Sequence, residues 1–174
     1  MLIGNYFKNI NLKFKKHIFS GLSINSNDCR KNYIFFAIKG NNLNGNNFIN
    51  HAINNGAKTV VSSNKYEGFK NDVLFIKSNN VRQLFAEIVS KIYRKKPRNL
   101  VAVTGTNGKS SIANFYLQIL KLNKKKVASI GTLGINSNKN KIELQNTTLD
   151  SLQLAKHLSK LKDQKIDNVI LEAS

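Results

Sequence analysis

Apolar residues change their spacing along this chain, and each change marks an element. Tyr33-Ile34-Phe35-Phe36-Ala37-Ile38 is an unbroken apolar run of strand length, which predicts a buried strand. The Gly- and Asn-rich stretch Lys39-Gly40-Asn41-Asn42-Leu43-Asn44-Gly45 predicts a loop. Phe48, Ile49, Ala52 and Ile53 recur at helical spacing, and Asn55-Gly56 supplies the stop. Thr59-Val60-Val61 and Val73-Leu74-Phe75-Ile76 read as short strands. Asn80 with Gln83 forms a helix-start signature, and Val81, Leu84, Phe85, Ile88, Val89 and Ile92 then line one helical face.

Pro97, the only proline, precedes a second series. Leu100-Val101-Ala102-Val103 is a strand, and Ile112, Phe115, Tyr116, Ile119 and Leu120 mark a helix. Val127-Ala128-Ser129-Ile130 is the next strand, and Ile142-Glu143-Leu144 is a short candidate. Asp150 and Gln153 cap a helix that buries Leu154, Leu158 and Leu161, and Asn168-Val169-Ile170-Leu171-Glu172 is a final strand. Alternating strands and helices predict an α/β fold, with a parallel sheet covered on both faces. A boundary near Pro97 divides the chain into residues 1–97 and 98–174. The sheet of 98–174 stops at a strand, so the sequence reads as the amino-terminal part of a longer protein.

Composition narrows the class. No run is long enough to cross a membrane, and the first residues lack the basic head and apolar stretch of a signal peptide. The single cysteine, Cys29, excludes an internal disulfide and fits a reducing cytoplasm; in its polar setting it reads as incidental. The formal net charge is +19. Lysines are scattered and accompany abundant Asn and Ile, so the charge reads as a compositional bias rather than a nucleic-acid groove. The runs Lys13-Phe14-Lys15-Lys16, Arg94-Lys95-Lys96 and Lys124-Lys125-Lys126 read as solvated surface.

The candidate chemistry lies after the strand ending at Val103. Thr104-Gly105-Thr106-Asn107-Gly108-Lys109-Ser110 joins a strand to a helix through a glycine turn ending in Lys-Ser, a cradle for nucleotide phosphates. Backbone N–H groups face the anion, Lys109 reaches the outer phosphates, and the Ser110 hydroxyl is suited to Mg²⁺. Val103 stands where the standard phosphate loop has its first Gly. Ligands of such sheets gather at the carboxyl ends of strands. Glu172 ends another strand, where an acid can hold the Mg²⁺ of a bound nucleotide; the plainer alternative is a solvent-facing Glu. His17, His51 and His157 have no partner at a telling spacing and read as surface or structural.

These residues carry a resemblance. Thr104 through Ser110 is similar to the phosphate loop of the Mur ligases and folylpolyglutamate synthases. Ile130-Gly131-Thr132-Leu133-Gly134, then Asn146-Thr147-Thr148, then Leu171-Glu172-Ala173-Ser174 resembles the MurE type of Mur ligase. Ile24-Asn25-Ser26, Phe35 through Gly40, Gly45 and Ala52 through Ala57 resemble the uridine-nucleotide-binding domain of the MurE and MurF types. The resemblance spans about residues 20–174.

It implies that 1–97 binds the UDP-muramoyl peptide and that 98–174 begins a P-loop-type ATPase domain, with a carboxy-terminal domain absent. The implied reaction is ATP-dependent: the side-chain carboxylate of UDP-N-acetylmuramoyl-L-alanyl-D-glutamate becomes an acyl phosphate, and a diamino acid displaces phosphate, in peptidoglycan precursor synthesis. Diaminopimelate is the commoner amino acid in the family and lysine the other. Gly105, Thr106, Asn107, Gly108, Lys109, Ser110 and Ser111 match ATP contacts, with Lys109 catalytic on the phosphates; Ser110 and Glu172 match Mg²⁺ ligands. Ile24, Ser26, Asn41, Asn42 and Leu43 match uridine-nucleotide contacts, and Asn146, Thr147, Thr148 and Ser174 match contacts near the muramoyl peptide. A cytoplasmic monomer without nucleic-acid partners is implied. The 174 residues alone are expected not to complete the reaction.

The chain departs from the family pattern at Asn25-Ser26-Asn27, where members often have Asp-Ser-Arg, at Asn41-Asn42, and at Leu149 in place of a frequent Pro. Three alternatives stay open. A folylpolyglutamate synthase shares the ATP loop but not the preceding domain; a MurF-type ligase shares the first domain but not the Gly-Thr-Leu-Gly and Asn-Thr-Thr segments; a basic P-loop module would bind nucleic acid in a salt-sensitive way.

Overall fold

Consecutive apolar residues in a strand point to opposite faces, so an unbroken apolar run needs cover on both sides. The computed structural model, which describes residues 1–40, 42–138, 141–143 and 149–173, meets that need twice. It divides into two units, Met1–Lys91 and Ile92–Ser174.

In the first unit the strands are β1 (Gly21–Ser23), β2 (Tyr33–Phe36), β3 (Ala57–Ser62), β4 (Gly68–Lys70) and β5 (Val73–Lys77), in spatial order β1-β2-β3-β5-β4. All neighbours are parallel except β4, which runs antiparallel to β5. Helices α1 (Ile49–Asn54) and α2 (Val81–Ile92) supply the cover. Phe35 joins Ile49, Ala52 and Val60 in a core under α1. Its neighbour Phe36 faces the other way and meets Phe85 of α2, ring centroids 5.0 Å apart. Both rings are fully buried, and each contributes roughly 1.5–3 kcal/mol by burial. Asn80 caps α2 through its Oδ1, which accepts from the Gln83 N–H at 3.0 Å. Gly56, at φ +104°, stops α1, and a Cβ there would meet the Lys31 backbone nitrogen at 2.7 Å.

The second unit contains β6 (Asn99–Val103), α3 (Lys109–Leu122), β7 (Val127–Gly131), β8 (Gly134–Ser137), β9 (Lys141–Ile142), α4 (Ser151–Asp163) and β10 (Asn168–Glu172). Its sheet has the order β6-β10-β7-β8-β9. Strand β10 inserts between β6 and β7, parallel to both. Asp167 fixes the start of this pairing: its carbonyl accepts from Asn99 N–H at 2.7 Å, and its carboxylate accepts from Arg98 N–H at 3.3 Å and pairs with Lys162. Asp150 caps α4, its Oδ1 accepting from the N–H groups of Leu152 at 2.7 Å and Gln153 at 2.9 Å. Leu158 and Leu161 of α4 pack with Ala128, Ile130, Ile135 and Val169, while Leu154 is only partly buried.

Two features depart from the sequence expectation. Strands β4, β8 and β9 are paired antiparallel; β8 follows β7 through a two-residue turn, Thr132-Leu133, closed on the Gly131–Gly134 pair with Gly134 at φ +88°. In α3 the buried residues are Ala113 and Leu117, and Ile112, Phe115 and Ile119 are exposed. Strand β6 lies at the edge of the described sheet, and its Leu100 and Val101 are exposed too. Among the described residues, no helix is long and apolar enough to cross a membrane.

Candidate functional site

The carboxyl ends of β6, β10 and β7 lie side by side, and each delivers one component of a site. Strand β6 leads into Thr104-Gly105-Thr106-Asn107-Gly108, all exposed. Gly108, at φ +80°, is the N-cap of α3, and its carbonyl accepts from Ile112 N–H at 3.0 Å. Nothing stands within 4 Å of a Cβ built on Gly108, so glycine is needed there for its backbone conformation rather than for space. The following N–H groups of the first helical turn lack intrahelical acceptors, which makes this end attractive to an anion. Lys109 folds back over the turn, its Nζ donating to the carbonyls of Gly105 at 2.6 Å and Thr106 at 3.4 Å.

Strand β10 delivers Glu172. Its Oε2 accepts from Ser110 Oγ at 2.8 Å and from Thr132 Oγ1 at 3.1 Å. Thr132 directly follows β7. The carboxylate therefore ties the ends of β10 and β7 to the start of α3. It can do so because residue 131 is glycine: a Cβ there would lie 2.3 Å from both Cδ and Oε1 of Glu172. Sequence reasoning placed Ser110 and Glu172 as candidate metal ligands and gave Thr132 no role. The available signal for Thr132 was a hydroxyl residue following a strand-end glycine. Ser111, next on α3, is exposed.

The donor set suits Mg²⁺. A hydroxyl and a carboxylate offer hard oxygen ligands, and Mg²⁺ is commonly held by one or two protein oxygens together with substrate phosphates. No cluster of three or more His, Cys, Asp or Glu occurs among the described residues.

The first unit contains a cleft of about 660 Å³ lined by Ile24, Ser26, Ile38, Leu43, Phe48 and His51 among others, a size typical of small-ligand sites. Strand β1 leads to Ile24, and a short 3₁₀ turn, Ser26–Asp28, follows. The turn is capped by Asn25, whose Oδ1 accepts from Asn27 N–H at 3.0 Å. Gly45 closes the loop opposite: a Cβ would meet Ile38 backbone atoms at 2.6 Å. Leu43 and Asn42 are exposed on that loop. Sequence reasoning missed His51, which meets Ser26 Oγ through Nδ1 at 2.9 Å. Cys29 sits beneath the turn, where burial, then the Asp28 charge, push its thiol up to about 11. Asn41, Asn146, Thr147, Thr148 and Ser174 lie outside the described residues.

Sequence comparison decides the family. Residues 18–99 match the Mur ligase family catalytic domain, and residues 103–174 match the Mur ligase middle domain. The chain belongs to the Mur ligase family. It is 41% identical over 170 residues to UDP-N-acetylmuramoyl-L-alanyl-D-glutamate–2,6-diaminopimelate ligase of Rickettsia prowazekii (strain Madrid E), covering 95% of this chain and 35% of that protein. The Fusobacterium nucleatum subsp. nucleatum ligase of the same name is 34% identical over 177 residues, covering 98% and 36%. Among solved structures, a ligase of that name aligns with a TM-score of 0.75 at 28% identity, over 95% of this chain and 34% of that one. MurF ligase from Thermotoga maritima in complex with ADP aligns at 0.54 and 24% identity, over 87% and 31%, a likeness of fold. The chain thus spans about a third of the length of the curated relatives it matches.

Proposed function

We propose that this Mur ligase chain carries the uridine-nucleotide and ATP sites of an enzyme that joins meso-diaminopimelate to UDP-N-acetylmuramoyl-L-alanyl-D-glutamate. In this reading ATP converts the D-glutamate side-chain carboxylate to an acyl phosphate, releasing ADP, and the incoming amine displaces phosphate to form the amide. The observation that carries the proposal is the hydrogen bond from Ser110 in the phosphate loop to Glu172 on the neighbouring strand.

Each residue has a physical part. Backbone N–H groups at the start of α3 receive the phosphates, and Lys109 exchanges its carbonyl contacts with Gly105 and Thr106 for phosphate oxygens. Ser110 and Glu172 would hold Mg²⁺, which when bound offsets the phosphate charge. Thr132 keeps the Glu172 carboxylate turned toward the loop. In the first unit Ile24 and Leu43 supply apolar walls for the uridine moiety, and the hydroxyl and amide groups of Ser26 and Asn42 suit a neutral base and sugar. Asn41, Asn146, Thr147, Thr148 and Ser174 complete the proposed substrate contacts. A cytoplasmic monomer fits this role.

Two titrations of the 174-residue chain test the proposal. Wild type is expected to bind MgATP and UDP at separate sites. Lys109→Ala is expected to weaken MgATP by at least about 10-fold, a lost charge-assisted contact, and to leave UDP affinity unchanged. Unaltered MgATP affinity in Lys109→Ala removes the assigned site. Salt-sensitive binding of DNA in place of UDP would favour the nucleic-acid reading.

A further inference from the structure

We infer that His51 is a positioning residue for uridine-nucleotide binding, acting through Ser26. This rests on reading the first-unit cleft as the uridine-nucleotide site.

Ser26 is held at two points from one helix face. His51 Nδ1 lies 2.9 Å from its hydroxyl, and Asn55 Nδ2 donates to its carbonyl at 2.9 Å. Residues 51 and 55 are four apart, so they project from the same face at the end of α1. The helix is anchored by Ile49 and Ala52 in the core, and the turn carrying Ser26 is independently capped by Asn25. Ser26 is itself buried, yet it and His51 both line the cleft. A serine hydroxyl has one hydrogen and rotates freely unless a partner fixes it. When His51 Nδ1 accepts that hydrogen, Ser26 Oγ presents lone pairs to a ligand N–H or O–H; when Nδ1 carries a proton, the Ser26 hydroxyl is free to donate to a ligand carbonyl. His51 thus sets which kind of partner Ser26 offers, a choice that neither residue makes alone.

The test is a double-mutant cycle read by calorimetric UDP titration of the full 174-residue chain. His51→Leu is expected to weaken UDP about 5-fold, the loss of one neutral hydrogen bond's worth of positioning. His51→Asn, which keeps a polar atom near the Nδ1 position, is expected to stay within about 2-fold of wild type. In a Ser26→Ala background His51→Leu is expected to have no further effect. MgATP titration of each variant checks that the second unit is untouched. Wild-type UDP affinity in His51→Leu overturns the inference, as does an equal loss with and without Ser26. Failure of wild type to bind UDP overturns the uridine reading itself and this inference with it, an outcome distinct from the other two.

Discussion

Gly131→Ala should separate folding from metal-dependent nucleotide binding. The new Cβ would stand 2.3 Å from the Glu172 Cδ and Oε1, against an ordinary contact of 3.4 Å or more. The carboxylate must therefore retreat by about 1 Å. Its bond from Thr132 is already 3.1 Å long and that from Ser110 is 2.8 Å, so a retreat of that size breaks the first and stretches the second beyond hydrogen-bond range. What moves is the end of a flexible side chain, not backbone, and the site is partly exposed. The stability cost should be small, about 1 kcal/mol once solvent screening is allowed for, or a fall of several degrees in Tm. The functional cost falls on metal binding, because Mg²⁺ demands near-ideal ligand geometry. The assay is ATP titration with Mg²⁺ and with EDTA, alongside Glu172→Gln as a reference. The Mg²⁺-dependent part of the affinity should disappear in both variants while binding in EDTA is preserved. Wild-type Mg²⁺ dependence in Gly131→Ala would refute the role given to Glu172; loss of binding in EDTA as well would show that the substitution disrupts the loop instead.

Two further outcomes follow from local chemistry. Burial raises Cys29 from 9.0 to about 11, so near neutral pH its thiolate population is about 100-fold below that of the unfolded chain. Native protein should react with a disulfide reagent correspondingly slowly, and equal rates in native and denatured protein would contradict the assigned burial. The sign for stability is fixed by the same shift: the contribution is fully present below pH 9.0 and is lost as pH rises toward about 11, because the unfolded thiol ionises first. Asp150→Ala removes the acceptor for Leu152 and Gln153 N–H and should cost about 1 kcal/mol, measurable by urea denaturation, with Asp150→Ser recovering most of it.

Long apolar runs and capping signatures were readable because they report local physics. The strand at Tyr33–Phe36, the caps at Asn80 and Asp150, and the strand–loop–helix around Gly108 all follow from short-range periodicity or turn chemistry. Strand β1 escaped notice because it is three residues long and begins at Gly21, where a Cβ would meet the Tyr33 ring at 2.5 Å; its identity depends on a partner strand. The hairpin at Gly131–Gly134 was seen as a motif, but not as a turn, since Thr132-Leu133 lacks the Asn-Gly chemistry that usually announces one. At the site, Ser110 stood at a helix start and Glu172 at a strand end, yet Thr132 and His51 gained their significance from pairings across 40 and 25 residues. No local pattern encodes such distances. Exposure of Phe115 and Ile119 was equally invisible, because helical spacing shows that a face exists without showing what packs on it.

The insertion of β10 between β6 and β7 has a consequence for synthesis. The two flanking strands emerge from the ribosome first but are not neighbours, so their pairing waits until the last described strand arrives. The phosphate loop is likewise translated 62 residues before the acid that its serine contacts. The first unit can close its sheet while the second is still an open set of strands and helices. On the proposed assignment of the two sites, the cleft of the first unit would be complete on the nascent chain before the Ser110–Glu172 pair can form, and a pause in translation between α3 and β10 would leave apolar strands unpaired.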